Sequence, residues 1–140
     1  MKKVFPIVSI FFLLACTESS REEKTELISS TTWTTEQVPD DVKSEFQSTF
    51  EFRSDGTYLL NAGEIEVNGK WSWVADDELY LELKGLTFNG EATKFDHKTN
   101  NYYIRIIELN ETVFKTIERH ESDDWNSGFA KEITYIPYEL

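Results

Sequence analysis

The chain has 140 residues, enough for one domain with its own core. Its 26 acidic and 14 basic residues give a net charge of −12, which excludes a nucleic-acid binder built on a basic face. At 39% hydrophobic and 14% aromatic it is too rich in core-forming side chains to be disordered throughout, and its single Cys excludes a disulfide framework and a Cys-based zinc site.

Lys2 and Lys3 open the chain, and an apolar run over residues 4–15 follows, interrupted by Pro6 and Ser9. As a helix this run is about 18 Å long, short of a bilayer core of roughly 30 Å, so it reads as the core of a signal peptide. Leu13-Leu14-Ala15-Cys16 comes directly after it and resembles the lipobox of bacterial lipoproteins. The resemblance implies that residues 1–15 are removed and that Cys16 is acylated as the new N-terminus. Cleavage takes away two lysines and no acid, so the remaining body is still more acidic and is repelled by anionic lipid. The acyl chains, not the protein surface, are then expected to hold it to the membrane. Residues 16–28 read as a polar tether, rich in Ser, Thr and Glu and without helical periodicity. Over ten residues such a coil spans about 18 Å. Within it, Ser20-Arg21-Glu22-Glu23 resembles the acidic post-Cys signal for surface export of lipoproteins in Bacteroidetes.

Residues 29–140 form the expected folded domain, and their hydrophobic period is two. A first strand around residues 31–38 carries Trp33. Residues 37–47 have room for a short helix capped by Asp40. Phe50-Glu51-Phe52-Arg53, the turn Ser54-Asp55-Gly56 and Thr57-Tyr58-Leu59-Leu60 make a hairpin. Pairing Arg53 with Thr57 sets Phe52 against Tyr58 and Phe50 against Leu60, all on one face. In the next hairpin, pairing Val74 with Glu78 sets Trp73 against Leu79 and Trp71 against Leu81. Lys70, Ser72, Tyr80 and Glu82 then point outward. A third hairpin runs over residues 102–109 and 112–119. Ile104 and Ile106 there differ in parity from Ile107 and Leu109, which a bulge reconciles. The last strand, residues 131–138, puts Pro137 at an edge or at the strand's end. Eight short antiparallel strands in sequential hairpins predict an all-β, up-and-down barrel, with an open sandwich as the rival.

Trp33, then Phe-x-Phe-x-x-Asp-Gly-Thr-Tyr over residues 50–58, Gly-x-Trp-x-Trp over 69–73 and the Leu-x-Leu-x-Leu of residues 79–83 together resemble the lipocalin-like lipoproteins of Bacteroidetes. A strand pair turning at Leu109-Asn110-Glu111 fits as well. The resemblance implies a small calyx-like barrel on an outer-membrane lipoprotein of the cell envelope, on its periplasmic or its surface-exposed face.

Phe50, Phe52, Tyr58, Trp71 and Trp73 are expected to converge inside the barrel. They form either an apolar ligand pocket with Tyr58 and the indole N–H groups as polar handles, or a filled core. Residues 121–131 form a long polar loop holding Trp125 and Phe129, which either offers these aromatics to a partner protein or glycan or folds Trp125 back as a plug in one barrel mouth. His97 and His120 lie far apart and share no ligand spacing, so no metal site is expected and both read as surface-loop residues. Asp40-Asp41, Asp76-Asp77 and Asp123-Asp124 read as solvated turns, because no Asp-x-Asp-x-Asp-Gly loop exists. No Gly-x-Ser-x-Gly elbow occurs, and no catalytic residue or cofactor is expected. The leading expectation is a monomeric, non-enzymatic module that takes a small apolar or amphipathic ligand. The alternative is an interaction module with a filled barrel that meets basic partners through the loop around Trp125.

Overall fold

The computed structural model describes residues 20–36, 47–96 and 100–139. The expected signal peptide, Cys16, Asp40 with residues 37–46 of the helix expected at 37–47, and His97 lie outside the described residues.

Eight strands close into an antiparallel up-and-down barrel: β1 (Thr32–Thr35), β2 (Thr49–Phe52), β3 (Thr57–Ala62), β4 (Ile65–Ala75), β5 (Glu78–Phe88), β7 (Tyr102–Leu109), β8 (Phe114–His120) and β9 (Lys131–Pro137). Closure comes from β1 pairing with β9, with Trp33 opposite Pro137. A short extra strand, β6 (Glu91–Ala92), adds only to the far end of β5.

The registers follow the apolar parity. Phe50 faces Leu60 and Phe52 faces Tyr58, and the turn is closed by the Arg53 N–H donating to Thr57 O at 2.8 Å. Trp71 faces Leu81 and Trp73 faces Leu79. The turn of that hairpin differs from expectation. Ala75, not Val74, pairs with Glu78, so Asp76-Asp77 is a two-residue turn and Val74 is an exposed bulge. In β7–β8 a bulge falls between Ile106 and Glu108 and turns Ile107 out to solvent, which keeps both Ile104 and Ile106 inward. Pro137 ends β9, where its missing N–H is harmless.

The main correction lies before the barrel. From Arg21 on, the expected coil tether is a helix, α1 (Arg21–Ser29). Ser20 is its N-cap, its hydroxyl accepting from the Glu23 N–H at 3.2 Å, and Glu22 and Glu23 sit in the first turn, where acids favour the helix dipole. One face is fastened to the barrel. Ile28 is fully buried, and its carbonyl accepts from Trp33 Nε1 at 3.0 Å. Trp73 Nε1 donates to Thr25 Oγ1 at 3.0 Å, and Lys24 Nζ donates to the Asp76 carbonyl at 2.6 Å. The helix thus covers the end where the β4–β5 turn lies.

Candidate functional site

An eight-stranded barrel is just wide enough inside to be filled by side chains. Residue size along the strands therefore decides where it is solid. At the end under α1 the inward positions carry Trp33, Phe52, Trp71, Trp73 and Phe114. These rings pack edge-on, Phe52 against Trp71 at 5.7 Å and 88° and against Phe114 at 5.9 Å and 76°. Toward the other end, β3 offers Leu60 and then Ala62, and β4 offers Gly69 and then Val67. The same lumen is filled at one end and hollow at the other.

The hollow end is a cavity of about 440 Å³ that opens between the ends of the strands. Trp33, Phe50 and Tyr58 line its floor, and Leu60, Val67, Leu81, Leu83 and Ile133 its walls. Gly69 lets Tyr58 lie there. A methyl group on Gly69 would overlap the Tyr58 ring and the Glu82 backbone carbonyl, so only glycine fits beneath that ring.

One acid faces this apolar space. Glu118 is on β8, opposite the inward Ile104, and lines the cavity. Its Oε1 accepts from Tyr135 Oη at 2.7 Å and from Thr116 Oγ1 at 3.0 Å. Burial pushes the Glu118 carboxyl up, and the two hydrogen bonds oppose that only in part. Burial also raises Tyr135 well above the usual phenol range, and the neighbouring Glu118 carboxylate raises it further. Tyr102 moves up for the same two reasons, and Tyr58 chiefly through burial. Three phenols and one carboxyl thus share the cavity. At the mouth stand His120, whose ring lies 4.5 Å from that of Tyr102, and Phe129, which is 68% exposed. His120 therefore belongs to β8 and the cavity wall, not to a surface loop.

The residues expected as ligand contacts divide. Phe50 and Tyr58 line the cavity, whereas Phe52, Trp71 and Trp73 belong to the filled end. The indole N–H groups of Trp71 and Trp73 are already used, by Arg53 O at 2.9 Å and by Thr25 Oγ1. Trp125 plugs neither mouth. It lies against the outer wall between the guanidinium groups of Arg105 and Arg119, 4.3 and 4.8 Å from its ring centre. Both arginines alternate with inward residues and so point outward. Glu118, Tyr102 and Tyr135 were not singled out by sequence reasoning. Their signal was parity: Tyr135 shares the inward face with Phe114, and Glu118 with Thr116 and Ile104.

Among the described residues no three His, Cys, Asp or Glu side chains cluster in a way that would hold a metal ion. Compared with protein-family models, curated proteins and solved structures, the chain matches none.

Proposed function

We propose that the protein is a non-enzymatic binding module of the bacterial cell envelope, anchored through an acylated Cys16, that takes one small amphipathic molecule into the open half of its barrel. Membership of the lipocalin-like lipoproteins of Bacteroidetes is part of the same proposal. It is supported by the up-and-down barrel and by the motif residues Phe50, Tyr58 and Gly69, which shape the floor of the cavity. The observation that carries the binding reading is the 440 Å³ cavity itself, within the size range of ligand pockets, with an apolar floor and walls and with polar groups such as Glu118, His120 and Lys131 on its lining.

A neutral hydrophobic dye such as Nile red tests this. We expect saturable binding at one site per protein. Leu60→Trp and Val67→Trp each place an indole in the cavity and should abolish it while circular dichroism shows the barrel intact. Absence of saturable binding to the unaltered protein, or binding indifferent to both folded variants, would overturn the proposal.

A further inference from the structure

We infer that the molecule this cavity takes is an amphipathic amine, whose protonated nitrogen donates to Glu118 while its apolar part lies against Phe50, Leu60 and Val67. The inference rests on the binding proposal above and adds the chemical class of the ligand.

Both hydrogen bonds to Glu118 fall on one oxygen, Oε1. Among the described residues nothing donates to Oε2. Unlike Nδ1 of His120, which is sealed in protein without a partner, Oε2 is not shut away from the cavity. A carboxylate oxygen left unpaired in such a wall is costly: the carboxyl either keeps its proton or takes a cation as partner, and an ammonium group entering the cavity would be that cation. Arg119, His120 and Lys131 also border the cavity, but among the described residues none of them pairs with Glu118. Arg119, the neighbour of Glu118 on β8, turns its guanidinium outward over Tyr103 and Trp125. Lys131, opposite Glu118 on β9, is exposed at the rim, and no ion pair joins the two.

Ring faces add a second, independent preference. Phe50, Tyr58, Tyr102 and Tyr135 surround the same space, and aromatic faces attract cations. The net charge of −12 raises the local concentration of cations around the protein and lowers that of anions. A fatty acid meets the opposite conditions, since its carboxylate would stand beside Glu118 in a low-dielectric pocket.

Competition for bound Nile red by decylamine, decanol and decanoate tests the class, with chain length held constant. Decylamine should displace the dye at least about tenfold more effectively than the other two, the advantage expected of a charge-assisted hydrogen bond. Glu118→Gln keeps the acceptor for Tyr135 and Thr116, so it should fold; measured against that variant's own dye affinity, decylamine should then compete no better than decanol. Equal competition by the three compounds, or an amine preference that survives Glu118→Gln, overturns the inference while binding stands. If the unaltered protein takes up no dye, the binding proposal itself fails, and this inference with it.

Discussion

Replacing Ile28 by alanine asks whether α1 is part of the fold or a loose tether. Ile28 is fully buried beneath the barrel's filled end, and its carbonyl holds the Trp33 indole. The change removes three buried carbons, about 2.4 kcal/mol of transfer free energy at roughly 0.8 kcal/mol each. Ile28 belongs to one buried cluster with Trp33, Phe52 and Phe114, large rings that fill a void poorly, so a cavity term brings the total to about 3–4 kcal/mol. Leu60→Ala is the matched control. Leu60 is only half-buried and borders existing empty space, so its loss opens no new void and should cost about 1 kcal/mol. At roughly 4 °C per kcal/mol for a domain of this size, Tm should fall by about 12–16 °C and about 4 °C respectively. Urea unfolding followed by tryptophan fluorescence gives both free energies. Ile28→Ala within about 0.5 kcal/mol of the unaltered protein would refute the docked helix, since that is the range of surface substitutions. Equal costs at the two positions would refute the division into a filled and a hollow end.

Gly69→Ala drives a methyl group into the Tyr58 ring and the Glu82 carbonyl, and should destabilise by about 1–3 kcal/mol in the same urea assay. Glu118 has a folded-state pKa above its unfolded value, so the native state holds its proton longer than the unfolded chain. Stability should therefore fall as pH rises from about 4.5 through the folded pKa and level off above it; in Glu118→Gln that descent should vanish. The raised Tyr58, Tyr102 and Tyr135 work in the same direction in alkali, and should ionise only after the exposed phenols in a spectrophotometric titration. If Cys16 carries the anchor as proposed, a Cys16→Ser protein should leave the membrane fraction, because a body with 26 acidic and 14 basic residues is repelled by anionic lipid.

The barrel was legible because period two leaves little freedom once a turn is fixed. Phe50-Glu51-Phe52 and Trp71-Ser72-Trp73 could meet their partners on one face in only one register, and the structure has those registers. Val74 shows where local pattern fails: a single bulged residue moves the turn by one position without disturbing the apolar face. The helix was illegible by periodicity, since only Leu27 and Ile28 are apolar in its nine residues. Its start was nevertheless written in Ser20-Arg21-Glu22-Glu23, a Ser-x-x-Glu capping sequence that doubles as a plausible linker. The site was half legible. Large aromatics advertise themselves, yet large aromatics fill space, so Phe52, Trp71 and Trp73 mark the solid end of the lumen. What makes a cavity is the small residues beyond them, Gly69, Val67 and Ala62, and what gives it a charged group is Glu118 on an inward position.

The four tryptophans offer the most direct test of a barrel that binds at one end only. Trp33 lines the cavity floor, Trp71 and Trp73 lie in the filled end, and Trp125 is clamped outside. Their indole N–H signals in a ¹H–¹⁵N correlation spectrum should report a decylamine titration separately. We expect the Trp33 signal to shift and saturate at one equivalent of ligand while the other three hold their positions. A saturating shift at Trp125 with Trp33 unmoved, or shifts confined to Trp71 and Trp73, would contradict binding in the open half of the barrel.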